Sequence, residues 1–354
     1  MDLKRRVIWM AKKSRGKASI VFDVKACLNE IDRIGQSKKE LRAEEKHGIH
    51  SLKQKSHSLS VCQNFVKWVR QHFDVKRVYQ LTEEHYQEYM NHMEQLGTSA
   101  GHRQNIETGL RHLQKGMNAR SERFRKEKVT FVPEKRVTPY KSQERPRNRS
   151  YTLSEYQAIL DHVSPAVKEA VGLMREMGLR IKEAVNVRVE HFVSNREGWK
   201  LMIEKGSGVT KGGRFRETPV PKRFERELER MLAGKEPEEC LVTIKYDSVR
   251  RAVNLACRKA GIIQDGRGCH GFRHAYARER VSELLAEKGI GEEGERMLQR
   301  VLSNREDHRR ADYGIFLPKD RRLFNKVREV VNQVHSEIGH GEDRWALAEV
   351  YMKN

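Results

Sequence analysis

The chain has 354 residues, with 71 Lys and Arg against 49 Asp and Glu, a formal charge of +22. That length is enough for two domains with separate cores. The cationic excess predicts a polyanionic partner, because phosphate neutralisation by Lys and Arg dominates nucleic-acid affinity; with 34% charged and 37% hydrophobic residues, the composition argues against a large-cored metabolic enzyme.

The cysteines, Cys27, Cys62, Cys240, Cys257 and Cys269, are scattered and form no CxxC pair. This argues for a reducing compartment and against a disulfide framework or a structural zinc finger. No apolar run approaches ~18 residues, so no membrane span is expected. The start, MDLKRRVIWMAKK, has no apolar core long enough for a secretory signal. A soluble, cytoplasmic protein is the expectation.

In chain order, residues 1–45 read as a basic N-terminal arm (Lys4, Arg5, Arg6, Lys12, Lys13, Arg15, Lys17) and a helix with Val21, Val24, Leu28 and Ile31 at helical spacing. Residues 46–125 read as a small helical domain. Leu59, Cys62, Phe65, Val66 and Val69 form one stripe of a helix over Ser58–Phe73. Thr82 caps a second helix with Glu83 and Glu84 in its first turn. A third, Ser99–Asn118, carries Ile106, Leu110, Leu113 and Met117 beside Arg103, Arg111 and Lys115. Residues 126–150 continue a cationic stretch that starts near 119 and contains Pro133, Pro139 and Pro146; they read as a basic linker.

Residues 151–354 have the texture of a second domain. Thr152 and Glu155 form a capping box for a helix through Val163, a helix runs from Pro165 to Met177, and another runs from about Arg180 through Val189. Trp199–Pro221 alternates enough to suggest strands turning at GSGVTKGG. Helices then follow at 223–232, 246–260, 270–287 and 319–335, with a charged stretch, 287–310, that reads as an insertion. The fold class is mainly α with a small β-hairpin or sheet, an α+β arrangement.

Within 270–287, His270, Arg273 and His274 lie three and four residues apart and share a helix face, while Phe272, Ala275 and Tyr276 suit packing. Such a cationic, titratable cluster can grip and react with an anion. The spacing of His270 and His274, beside Cys269, is also one that binds zinc on a helix, but no H-E-x-x-H pattern or third ligand accompanies it, so no metal is expected. His274 reads as a structural or supporting histidine.

Four separated segments together resemble the catalytic boxes of the tyrosine recombinases, the phage-integrase family. GLRIKEA (178–184) is similar to the first box, with Arg180 and the acidic Glu183. TKGGRFRETPVP (210–221) is similar to the hairpin carrying the catalytic lysine, which falls on Lys211. HGFRH (270–274) matches the H-x-x-R box through His270 and Arg273. EIGHG followed by EVYM (338–352) resembles the terminal box, with His340 and Tyr351. The resemblance covers about residue 46 to the end. It implies a helical core-binding domain followed by a mixed catalytic domain, as found in integrases of phages or integrative conjugative elements.

The chemistry the resemblance implies suits these residue types. Two guanidiniums, Arg180 and Arg273, clamp the non-bridging oxygens of a phosphodiester and stabilise transition-state charge. A tyrosine phenol, Tyr351, attacks once deprotonated, with His270 as base or hydrogen-bond partner. Lys211 protonates the leaving 5′-oxygen, His340 bonds the phosphate, and Glu183 orients its neighbours. Lys205 on the same hairpin competes with Lys211 for its role, and Arg214 and Arg216 read as phosphate contacts. The 3′-phosphotyrosyl link conserves bond energy, so neither cofactor nor metal is implied.

Tyr351 follows His340 by eleven residues, a longer interval than the family commonly keeps. Tyr313, nine residues after Asn304, has the common interval but lacks the histidine, and is the alternative nucleophile. The implied partners are double-stranded DNA, a homotetramer on two DNA sites, and accessory DNA-bending or directionality factors, with no membrane. The implied location is the nucleoid of a bacterial or phage-encoded system. Two further readings stand beside strand exchange: a catalytically inactive architectural or regulatory DNA-binding protein, and a type IB topoisomerase or telomere resolvase.

Overall fold

The structure, a computed structural model, describes residues 19–37, 40–41, 48–139, 148–196, 198–210, 213 and 215–353. The basic arm residues Lys4–Lys17, linker residues 140–147, Lys211 and Arg214 lie outside the described residues. The chain divides into two compact units, residues 1–144 and 145–354.

The first unit is helical. Helices α1 (Ile20–Glu30), α2 (Leu52–Phe73), α3 (Glu83–Gln95) and α4 (Ala100–Arg123) start at Ser19, Ser51, Thr82 and Ser99, whose side chains accept backbone N–H bonds from the first turn. The apolar stripe of α2 buries Cys62, Phe65, Val66 and Val69 against α1 and α4. The helix expected within residues 1–45 therefore belongs to the same core as the helices after it. Part of the expected linker does too. Phe131 stacks on Phe65 at 5.7 Å, and Gln114 Oε1 accepts the N–H of Phe131 at 2.8 Å. Arg103 and Arg111 are held within the unit, Arg103 by Glu94 and Arg111 by the Pro133 carbonyl.

The second unit begins with α5 (Leu153–Leu160), capped by the Thr152–Glu155 box, and α6 (Pro165–Glu176). The expected helix from Arg180 through Val189 stops early: α7 spans only Ile181–Ala184. Beyond it the backbone turns to pair across the chain, Leu241 donating to the Val187 carbonyl and Val189 to that of Glu239. Three antiparallel strands follow in the order β1 (Phe192–Asn195), β2 (Gly198–Ile203), β3 (Arg216–Pro219), with Phe192 opposite Leu201 and Ile203 opposite Arg216. Strand β1 precedes the expected strand region.

Helices α8 (Lys222–Leu232), α9 (Tyr246–Lys259), α10 (His270–Glu287), α11 (Gly291–Glu306), α12 (Pro318–Glu337) and α13 (Trp345–Met352) complete the unit. The stretch expected as an insertion is largely α11. Its charges coat a helix whose Met297, Leu298, Val301 and Leu302 are buried beside α10, α12 and α13. Helix α10 lies between two cores. Phe272 belongs to one, with the residues of α6, α9 and the sheet; Tyr276, Ala277, Val281 and Leu284 belong to the other.

Candidate active site

Arg273 is the centre of the site, fully buried in the first turns of α10. A buried cation needs compensating charge or acceptors. Two helix C-termini supply them. Nη1 donates to the Gly178 carbonyl just past α6 at 2.7 Å, and Nη2 donates to the Ile338 carbonyl at the end of α12. The unsatisfied carbonyls of a helix end carry partial negative charge, so both ends favour a guanidinium. Gly178 and Gly339 have φ of +58° and +67°, the left-handed conformation that stops each helix there.

Glu183 ties the remaining cations together. Its Oε1 accepts from Arg180 Nη1 at 2.7 Å; its Oε2 accepts from the Arg180 backbone N–H at 2.9 Å and from Arg216 Nη1 at 2.8 Å. Arg273 Nη1 stands 3.8 Å from the same carboxylate. Burial opposes its ionisation, but Arg216, Arg180 and Arg273 outweigh burial and hold its pKa below the ordinary carboxylate value. Arg180 keeps part of its side chain in solvent. Burial, then Arg216 and Arg180, lowers the Arg273 pKa to about 10, which leaves it a cation at neutral pH.

His340 receives both arginines: Arg180 Nη2 and Arg273 Nη2 each lie 3.2 Å from its Nε2. Guanidinium nitrogens only donate, so Nε2 is here the lone-pair acceptor of a neutral ring. Burial, followed by Arg273 and Arg180, pushes its pKa down to about 3. His270 is solvent-exposed on one side; the protein packed around it, with Arg273, Arg180 and Arg149, holds it below the ordinary imidazole value.

Tyr351, on α13, is 6% exposed. Its ring stacks on His274 at 4.4 Å and 24°, with His340 at 5.4 Å and His270 at 6.2 Å. The Arg273 guanidinium carbon stands over the ring, 5.7 Å from its centroid. Of the sequence-predicted site residues, Arg180, Glu183, His270, Arg273, His340 and Tyr351 thus come together. Tyr313 does not join them. It is 53% exposed in the turn after α11, under the guanidinium of Arg309, and Asn304 donates to its carbonyl at 2.9 Å. Lys211 lies outside the described residues, and Lys205 is exposed.

Arg216 differs from its reading as a phosphate contact. It is buried, donating to Glu183, to the Met177 carbonyl at 2.5 Å and to Thr218 at 3.2 Å. The signal for this was period-two alternation, which turns Arg216 and Thr218 to the inner face of β3. Sequence reasoning also missed His335, buried beside His340, and Glu337, which accepts from the Tyr276 hydroxyl at 2.8 Å and from Arg280. Among the described residues, no group of three or more His, Cys, Asp and Glu side chains is placed to hold a metal ion, and no helix is long and apolar enough to cross a membrane.

A helical unit followed by this mixed unit, with its three-stranded sheet, is the fold of the tyrosine recombinases. In particular, the chain is similar to the site-specific recombinase XerH bound to its difH substrate in a pre-cleavage complex, at 14% identity and a TM-score of 0.51, covering 97% of this chain and 88% of that one. It is likewise similar to the Tn1549 transposon integrase in complex with a circular-intermediate DNA, at 11% identity and a TM-score of 0.51, covering 95% and 96%. A lambda integrase tetramer bound to a Holliday junction matches at 15% identity and a TM-score of 0.50, covering 90% and 81%. No family model matches the sequence, and no curated protein matches it.

Proposed function

We propose that this chain is a tyrosine-type site-specific DNA recombinase that integrates or excises a mobile element. The observation that carries the reading is the convergence of Arg180, Arg273 and His340 beside the ring of Tyr351. A phosphate oxygen is a stronger acceptor than an imidazole lone pair, so a phosphodiester can take the two guanidiniums that now share His340 Nε2.

In the proposed step the Tyr351 oxygen attacks the scissile phosphorus and the bond to the 5′-oxygen breaks. The phenolic proton passes to His270, and the departing 5′-oxygen takes a proton from Lys211. Arg180 and Arg273 hold the non-bridging oxygens, whose charge grows in the transition state, while Glu183 and Arg216 fix their positions. The products are a 3′-phosphotyrosine and a free 5′-hydroxyl. Attack by a second 5′-hydroxyl reverses the step and releases the tyrosine, so the exchange needs no external energy source.

The complexes of the similar structures, a recombinase on its substrate, an integrase on a transposon circular intermediate and a tetramer on a Holliday junction, support double-stranded DNA as partner and an oligomer, a homotetramer on two sites, as the working form. Accessory bending or directionality factors and a nucleoid location belong to the same reading. So do the domain roles: the helical unit grips the duplex, and the basic stretch 126–150, rich in Lys and Arg, adds contacts to its backbone.

The test is a nicked duplex cut from the DNA flanking the gene, incubated with the protein and resolved in SDS. A DNA band that survives SDS and shifts down after protease digestion is expected. Retarded but never covalently linked DNA would favour the architectural reading.

A further inference from the structure

Helix α12 ends in a Schellman motif: the Gly339 N–H donates to the Ser336 carbonyl at 2.8 Å, and the His340 N–H to the His335 carbonyl at 2.6 Å. This geometry brings the third-from-last helical residue against the second residue beyond the cap, and that contact is usually apolar. Here both residues are histidines. Their ring centroids are 5.7 Å apart at 59°. His335 is fully buried, and neither of its ring nitrogens has a hydrogen-bond partner; the Nδ1 of His340 lacks one as well. Three unpaired ring nitrogens in one buried contact contradict the rule that buried polar groups are satisfied, and such a group calls for an explanation.

The protonation of His340 supplies it. With Nε2 accepting from Arg180 and Arg273, the single proton of the neutral ring sits on Nδ1, next to His335. The role assigned to His340 above requires the opposite tautomer, with Nε2 donating to phosphate and Nδ1 accepting. We propose that His335 is a positioning residue that partners Nδ1 of His340 in both tautomers, as acceptor in the free protein and as donor when phosphate is bound. A neutral imidazole has one donor and one acceptor nitrogen, so His335 alone can play both parts. A small ring rotation or one bridging water closes the gap between the rings. The proton count is unchanged: His340 Nδ1 gives one proton to solvent and Nε2 takes one from it, while the His335 ring turns over so that its N–H, in place of its lone pair, faces Nδ1. Burial, with Arg344 and Arg273, lowers the His335 pKa to about 4, which keeps this ring neutral too.

This inference rests on the strand-transfer reading for the role of His340, but the two are separable by experiment. Imidazole nitrogen NMR of the full chain, isotopically labelled in histidine, reads the tautomer directly. The His340 proton is expected on Nδ1 in the free protein and on Nε2 with saturating inorganic phosphate. The switch should persist in His335→Gln, whose amide both donates and accepts, and be lost in His335→Leu. An unchanged tautomer in the wild type, or the same switch in His335→Leu, would overturn the proposal. Kinetically, His335→Leu should slow covalent-complex formation about tenfold, the weight of one hydrogen bond, with DNA affinity unchanged and with partial recovery in His335→Gln. In a His340→Ala background it should add nothing; an additive loss would mark His335 as merely structural. Absence of any covalent band in the wild type would count against strand transfer, and the NMR result would still decide on His335.

Discussion

Tyr351 and Tyr313 offer the same phenol in opposite settings. Tyr351 is enclosed by His274, His340 and His270 with Arg273 over its ring; Tyr313 stands half in water beneath one surface arginine. Sequence spacing favours the second. Surroundings favour the first for the proposed reaction: a nucleophile needs a base and an electrophile-binding partner within reach, and an interval in the sequence supplies neither.

The contrast is most easily broken at the hydroxyls. Tyr351→Phe should abolish the SDS-resistant protein–DNA band, and Tyr313→Phe should leave it intact; the reverse pattern would reassign the nucleophile. Next in size is the clamp. Arg273→Lys keeps the charge but loses the fork that spans the Gly178 and Ile338 carbonyls, so cleavage should fall about 10²–10³-fold, the scale for removal of one transition-state donor. A rate within a few-fold of wild type, measured on the same nicked duplex, would contradict that geometry.

The backbones of the two regions differ as well. A Cβ at Gly178 would lie 2.5 Å from the Tyr276 ring, with φ at +58°, so Gly178→Ala should cost about 3 kcal/mol from overpacking plus left-handed strain. Gly314, beside Tyr313, has φ of +75°, but the nearest atom is the movable end of Arg300 at 3.3 Å, and Gly314→Ala should cost only about 1 kcal/mol. Urea titration of the two variants compares them. A separate effect is a slope in pH. Burial, then His270 and Arg149, depresses the His274 pKa to about 3, and His335 is held near 4. The unfolded chain binds these protons first, so stability should fall as pH drops below ~6.5 toward those values, by at most about 1.4 kcal/mol per pH unit for each ring. His274→Phe, which keeps the stack, should flatten the profile; an unchanged slope would mean that ring is not buried neutral.

Much of this fold is local in origin and was legible as such. Thr82, Ser99 and the Thr152–Glu155 box mark helix starts because capping bonds span three residues, and α10 keeps its expected limits. The early end of α7 was not legible, since it depends on the Val187–Leu241 pairing far along the chain. Helix α11 was hidden by its charges, although Met297, Leu298, Val301 and Leu302 keep helical spacing. At the site, the first arginine, the H-x-x-R pair and the glycine-histidine pair could be read as motifs. Arg216 and His335 could not. Alternation along β3 turns Arg216 inward, but its partners, Glu183 and the Met177 carbonyl, lie far along the chain, and no motif marks His335.

The anchoring of Arg273 has a consequence for how the site tolerates change. Its two closest acceptors are main-chain carbonyls, at Gly178 and Ile338, and a carbonyl is the same whatever side chain its residue bears. Replacing Ile338 alters packing but not the acceptor. Adding or deleting one residue within α6 or α12 is different: it rotates everything beyond it by about 100° and moves the terminal carbonyl off the guanidinium. The position of Arg273 is therefore encoded in helix length more than in the side chain at Ile338, tolerant of substitution there and intolerant of insertion or deletion within α6 or α12.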